Sequence, residues 1–349
     1  MIMAVDTNPD KLSGVGTFTM SDSRRLYWAG FDLGGTKMRV AILDHAWRVV
    51  ARAEGRTKAN AGVRGGVARM AALLDEAWQT VRSRKAGGVR RLLAGIGLAV
   101  PGPVDMRRGI VREMVNVGWT DVPLAKLLGK AAGAPVALLN DVDAGVYGEY
   151  RFGAGRGARC LVGIFPGTGI GGGCVMDGKV LSGASSSCME IGHLPVMPDG
   201  PLCGCGQRGC LEAVAGRLAI ASAAATAAFR GQAPNLFKAA GTDIAAIRSR
   251  TLAAAIEAGD EAVERIVSDA AAWTGLGAAA LVNLLGPDRI VLGGGLVEAM
   301  PKLYLPKVAE SARRRVMRSY RDTYTIAVAR LGDDAAIRGA AAWASQVST

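Results

Sequence analysis

The chain has 349 residues, half of them hydrophobic, with 48 glycines, six cysteines and a formal net charge of +12. That length suffices for two lobes with a full core, and no run of 18 apolar residues free of charge is present, which excludes a membrane-spanning helix by pattern. The excess positive charge invites an anionic partner, but Arg107-Arg108 and Arg313 to Arg315 do not interleave with aromatic residues; they read as a solvated surface, and no nucleic-acid partner is expected.

Residues 1–26 carry scattered Asp, Lys and Ser and no long apolar stretch, so they read as a flexible leader and not as a signal peptide. The segment YWAGFDLGGTKMRVAILD predicts strand, glycine turn, strand, with Phe31, Val40 and Ile42 giving the β character. A strand over 47–53 and a helix over 63–84 follow, the helix marked by Val67, Met70, Leu73, Leu74, Ala77, Trp78 and Val81 at helical spacing. LLAGIGLAV predicts a buried strand stopped at Pro101-Gly102-Pro103, and PVALLND a further strand.

The second half begins in the same way. CLVGIFPGTGIGGGCVMDGKVLSG again reads strand, glycine turn, strand, Asp-containing turn, strand, with Val175-Met176-Asp177 standing where Ile42-Leu43-Asp44 stands in the first half. This is one supersecondary unit repeated, and two such α/β units facing one another imply a ligand cleft between them. Alanine-rich helices are expected over 213–285. DRIVL then leads into Gly293-Gly294-Gly295, followed by a helix over 297–317 interrupted at Pro301 and Pro306, the strand YTIAVARL, and a final helix with Asp333 as its N-cap. The expected lobes are 27–140 plus 333–349 for the smaller, and 141–332 for the larger.

One run is chemically distinct. His193, Cys203, Cys205 and Cys210 fall as H-x9-C-x-C-x4-C, with Gly204, Gly206 and Gly209 interleaved. An imidazole and three thiolates closed by tight turns make a tetrahedral zinc site with no open position. Such a site folds the loop 193–210 instead of doing chemistry, and thiols kept reduced for a metal fit the cytoplasm. Cys160, Cys174 and Cys188 stand apart in apolar or small-residue segments and read as buried small side chains.

DLGGTK, GTGIGGG and LGGG could each let backbone N–H groups approach an anion. Gly167, Gly169 and Gly172 match G-x-G-x-x-G, but a strand and a turn follow where a dinucleotide site requires a helix, so the NAD reading is rejected. No G-x-x-x-x-G-K-[ST] motif is present. Two glycine loops at equivalent places of a repeated unit point toward one shared phosphate chain.

Together, DLGGTK, VPGPVD, NVGW, LLND, GTGIGGG, EIGH, CGCGQRGCLE, VLGGG and GDDAAIRGAA resemble the ROK sugar-kinase family over about residues 28–345. The resemblance implies an α/β, two-lobed actin-like ATPase (ribonuclease H-like) fold, with a duplicated βββαβα lobe and an interlobe cleft. It implies transfer of the γ-phosphoryl of ATP to a sugar hydroxyl, with Mg²⁺ on the phosphates and structural Zn²⁺ in the cysteine loop. It assigns Asp32, Gly34, Gly35, Thr36 and Lys37 to a first phosphate loop, Asp32 lying near Mg²⁺, and Gly167, Thr168 and Gly169 to a second. Gly293, Gly294, Gly295 and Leu296 would border the adenosine. Asp141 would be the general base; Asn140, Glu190, His193 and Glu212 would hold sugar hydroxyls, with Asn116 and Gly102 nearby. A homodimer is expected on the same ground.

The chain departs from the family pattern around the acceptor. Cys188-Met189-Glu190 stands for the usual A-G-E, Asp143 for the second Asn of NDANA, and Pro166 for a small or apolar residue; Ser185-Ser186-Ser187 is also unusual. The acceptor therefore stays open among hexoses, N-acetylhexosamines and C7-cyclitols of valiolone type. A polyphosphate donor and a sugar-responsive transcriptional regulator without its DNA-binding domain are the remaining alternatives.

Overall fold

A computed structural model describes residues 26–83, 92–184 and 187–347. The expected leader up to residue 25, the end of the first helix at Arg84, Ser185, Ser186 and the last two residues lie outside that set.

Strands β1 (Leu26–Leu33), β2 (Lys37–Leu43) and β3 (Val49–Arg56) form an antiparallel meander, and α1 (Gly62–Arg82) leads to β4 (Leu92–Val100). A small sheet of β5 (Val104–Asp105), β6 (Ile110–Met114) and β7 (Trp119–Val122) comes next, then α2 (Leu124–Ala132), β8 (Val136–Asn140) and α3 (Asp141–Phe152). The second half runs β9 (Cys160–Pro166), β10 (Ile170–Met176) and β11 (Lys179–Val180) before a helical stretch. That stretch holds α4 (Leu211–Ala215), α5 (Arg217–Phe229), α6 (Pro234–Ala240), α7 (Ser249–Glu257) and α8 (Glu261–Leu285). The chain closes with β12 (Arg289–Leu292), α9 (Gly295–Ala299), α10 (Pro301–Arg315), β13 (Thr325–Val328) and α11 (Ala335–Val347).

The strand orders are β3-β2-β1-β4-β8 and β11-β10-β9-β12-β13. Each is an antiparallel meander extended by two parallel strands, so the repeat read from the hairpins extends to whole sheets.

Three local expectations are corrected. The break expected at Pro301 is present, since α9 and α10 meet at Met300 and Pro301 opens α10, where its missing N–H leaves nothing unpaired, but the break expected at Pro306 is not: Pro306 sits inside α10 without ending it. Asp333 does not cap the last helix: it lies in a one-turn 3-10 segment, Gly332–Asp334, and its carboxylate faces Arg39 at 3.7 Å. The third strand starts at Val49, later than expected, because Asp44 Oδ1 accepts from the amides of Ala46 and Arg48 and holds the chain in a turn.

Helices α3 and α11 join the two sheets. In α11, Gly339 meets the Ala144 carbonyl of α3, and Gly148 of α3 meets the Ala335 carbonyl; any Cβ at either glycine would overlap backbone. On its other face α11 rests on the first sheet, where Gly30 and Gly97 meet the carbonyls of Ile337 and Ala340. Helix α3 lies on β10: a Cβ on Gly171 would come 2.6 Å from Val142 Cγ2, and one on Gly173 2.8 Å from Val146 Cγ2. The later glycines of GTGIGGG thus seat a helix instead of cradling phosphate. Tightly packed small residues give little slack, so the N-terminus of α3 is held firmly between the lobes.

Among the described residues, Leu211–Phe229 is the stretch long and apolar enough to cross a membrane, and half of it is buried in the fold. Gly216, in extended conformation, breaks it into α4 and α5.

Candidate active site

Asp141 is the first residue of α3, directly after β8. Asn140 is the N-cap: its Oδ1 accepts from the Val142 and Asp143 amides at 2.8 and 3.3 Å. Its Nδ2 donates to the Gly102 carbonyl at 3.0 Å. Gly102 has φ 89, and a side chain there would run into the Glu113 carbonyl. Asn140 is thereby fixed from two sides, and it fixes Asp141.

The Asp141 carboxylate is half-buried, and its pKa is raised above the ordinary value. Burial is the main cause; the Asp32 and Glu190 carboxylates add to it, and the Val142 amide, 2.9 Å from Oδ1, opposes it. Asp141 lines a cavity of about 250 Å³ together with Asp32, Arg39, Phe165, Gly294, Glu298 and Asp333. Elements of both halves thus meet around one carboxylate. A neighbouring cavity of about 1180 Å³ shares Glu298 and is bordered by Gly295, Arg217, Arg248 and Ser249.

The first glycine hairpin spans Gly34, Gly35 and Thr36 between β1 and β2. Thr57 holds it, its amide donating to the Thr36 carbonyl at 2.9 Å and its hydroxyl to Gly34 at 2.6 Å. Asn116 lies against it: a Cβ on Gly35 would come 2.9 Å from Asn116 Cβ. Asp32 pairs with Arg39 at 2.6 Å. Lys37 pairs with Glu54 at 2.7 Å and, with Gly35 and Thr36 of the hairpin, lines a second cavity bordered by Arg56 and Lys58, apart from the one that holds Asp141.

The second hairpin, Gly167 to Gly169, is held by residues just after the last cysteine. Glu212 Oε2 accepts from the Ile170 amide at 2.9 Å, Arg217 donates its amide to Gly167 at 2.9 Å, and its guanidinium donates to Thr168 Oγ1 at 2.8 Å. Gly294, with φ 81, faces the Pro166 carbonyl, and Gly293 faces the Phe165 ring. Leu296 is fully buried in the core, so it offers only its backbone to a ligand.

Glu190 is exposed and follows Met189, which adopts φ 68. That left-handed conformation is uncommon for a bulky residue and costs roughly 1–2 kcal/mol. The ligand atoms of His193, Cys203, Cys205 and Cys210 all lie within 4.8 Å of one another. Cys203 Sγ is 3.6 Å from His193 Nδ1, and Cys205 Sγ 3.7 Å from Cys210 Sγ. With metal–sulfur bonds of about 2.3 Å, a zinc tetrahedron has edges of this length, so the donor set fits zinc. Glu212 Oε1 lies 3.9 Å from Cys203 Sγ, which ties the loop to the second hairpin.

Sequence reading missed Arg39, Phe165, Glu298 and Asp333 around Asp141, and Arg217 with the segment 243–251 beside the larger cavity. They lie far apart along the chain and carry no glycine signal. Arg39, at alternate spacing from Lys37 on a strand that starts at the phosphate loop, was the one with a sequence clue.

A family model described as the ROK family matches residues 28–347. The chain belongs to the ROK family. A glucokinase of Halalkalibacterium halodurans is 33% identical over 90% of this chain and 93% of its own length. The crystal structure of a ROK hexokinase from Thermus thermophilus superposes with a TM-score of 0.76 at 35% identity, over 92% of this chain and 98% of that one. A ROK glucokinase from Streptomyces griseus, solved with glucose and AMPPNP, gives a TM-score of 0.75 at 30% identity, over 92% and 99%. The family also includes repressors: Mlc of Escherichia coli is 30% identical over 71% of this chain and 60% of its own length. The fold is the two-lobed, actin-like ATPase architecture of these kinases.

Proposed function

We propose that this ROK protein transfers the γ-phosphoryl group of ATP to a hydroxyl of a hexose or sugar-like polyol, with Asp141 as general base. One observation carries the reading: Asp141, Asp32 and Gly294, from both halves of the chain, line a single cavity. The family's kinase members make the chain an ATP-dependent sugar kinase. The larger cavity beside Gly295 has room for a nucleoside, which favours ATP over polyphosphate.

Phosphoryl transfer needs positioning and charge neutralisation more than covalent chemistry. The two hairpins would border the donor phosphates, and Arg217 beside Thr168 adds a cation. Asp32 would hold the magnesium ion that accompanies ATP and screens the phosphate charge; Arg39, paired with Asp32, keeps that carboxylate aimed at the cavity. Asn116, Glu190, Glu212 and His193 present donors and acceptors to a polyol. Asp141 takes the proton of the attacking hydroxyl as the new P–O bond forms. Its raised pKa makes it a stronger base than an ordinary Asp, and closure of the lobes excludes the water that would otherwise hydrolyse ATP.

Zn²⁺ would be held by His193, Cys203, Cys205 and Cys210, and would brace the loop that precedes Glu212 and Arg217, which reach the second hairpin from α4 and α5. The regulator reading gives no reason for a base of raised proton affinity in the phosphate cleft. An ADP-release assay with Mg-ATP, run across hexoses, N-acetylhexosamines and valiolone-type cyclitols, tests the proposal. ADP formation with at least one of them is expected; release with none would refute the kinase reading.

A further inference from the structure

Among the described residues, the buried carboxylates have partners, with one exception. Glu149 accepts from the amides of Ala154, Arg330 and Leu331; Asp260 from Asn235 and Leu236; Asp44 from Ala46 and Arg48; Asp105 from Arg108 and Arg112. Asp143 is only 1% exposed, and among the described residues neither of its carboxylate oxygens has a hydrogen-bond partner. It lies in the first turn of α3, two residues after the proposed base, with Oδ1 3.0 Å from where a Cβ of Gly173 would stand on β10.

Among the described residues no cation faces Asp143. The groups acting on it are Asp141 from its own helix and Glu190 from the acceptor loop, both acidic. Its other titratable neighbours are Cys174 on β10 and Cys188 before Glu190. Both thiols are held neutral: Cys174 by a hydrogen bond with Cys160 and by burial, Cys188 by burial. An ionised carboxylate with neither a hydrogen-bond partner nor a cation is very costly in such a buried place. Burial first, then Glu190 and Asp141, push the Asp143 pKa up to about 8.

We infer that Asp143 is a positioning residue that works as a neutral carboxylic acid, seating α3 on β10 so that Asp141 and Glu190 face the acceptor without a third anion behind them. The inference rests on the sugar-kinase reading for its catalytic consequence but not for the protonation itself. Loss of the Asp143 proton places an unpaired charge beside two carboxylates, and α3 must loosen from the Gly171–Gly173 stretch for water to reach it. Asp141 then leaves its position.

The test compares the wild-type chain with Asp143→Asn, which keeps the shape and cannot ionise. Infrared difference spectra should show a protonated-carboxyl carbonyl band in the wild type at pH 7 that is absent from D143N and fades as pH rises through about 8. Lack of that band overturns the inference, whatever the acceptor proves to be. With glucose and Mg-ATP, the wild type should lose kcat on the alkaline side while KM for ATP holds, and D143N should lack this alkaline break. An identical break in both proteins overturns it as well. Should D143N fail to fold, the melting temperatures of the wild type and Asp143→Ser decide. A carboxyl whose folded pKa lies above its unfolded one costs nothing below the unfolded value and progressively more up to the folded one. The melting temperature must therefore fall more steeply in the wild type than in Asp143→Ser as pH rises from 5.5 to about 8, and equal slopes contradict the inference.

Discussion

The two glycine hairpins occupy equivalent places in the two sheets, yet they are held differently. The first is tied by Thr57, a neighbour in its own sheet whose amide and hydroxyl bind Thr36 and Gly34. The second is tied from outside its sheet, by Glu212 and Arg217, which follow the cysteine loop. The repeat supplies two loops at equivalent places, and one of them depends on the segment that follows the cysteine loop. The first hairpin is therefore a local structure, and the second one held by residues distant in sequence.

That difference can be broken from either side. The largest effect is expected from Cys205→Ser, which removes a metal ligand: zinc content by metal analysis should collapse, and the acceptor KM should rise far more than in any variant of the first hairpin. Unchanged zinc content would contradict the cluster. Glu212→Ala comes next. It strands the Ile170 amide and removes the proposed sugar-facing acceptor; an unsatisfied group costs about 1–3 kcal/mol, so kcat/KM should fall by roughly 5- to 150-fold. Arg217→Ala removes an exposed charged contact to Thr168; KM for ATP should rise by roughly fivefold, in line with a loss of about 1 kcal/mol, with KM for the sugar little changed. Thr57→Val should be the mildest, since it deletes one hydroxyl bond and keeps the shape; about a threefold loss in kcat/KM, with zinc retained, is expected. If Thr57→Val proved as damaging as Glu212→Ala, the two hairpins would not differ in the way described.

The hairpins, their repetition and the cysteine spacing were legible because each rests on local chemistry. Glycine marks turns, alternation marks strands, and ligand spacing marks a metal loop. What escaped was long-range. Arg39 against Asp32 and Asp333, and Arg217 against Thr168, are pairings that topology makes and sequence distance hides. Local signals also misled where two of them competed. Pro306 reads as a breaker but sits within a helix, and Asp333 reads as a cap but faces Arg39. The glycines of GTGIGGG read as one cradle, whereas only the first part forms the hairpin; Gly171 and Gly173 are small because Val142 and Val146 of α3 press on them. Met189 stands out in sequence only as an unusual residue before Glu190; its left-handed backbone shows why a glycine would suit that position.

The central claim is that Asp141 takes the acceptor proton at the meeting point of the two halves. Single-turnover phosphoryl transfer by Asp141→Asn, measured beside nucleotide affinity, tests it most directly. The expected result is a drop in turnover of roughly 100-fold or more with nucleotide binding retained, and in the wild type an acid limb lying above an ordinary Asp pKa, since the base must be ionised and its pKa is raised. Turnover of the variant at the wild-type rate would contradict the account.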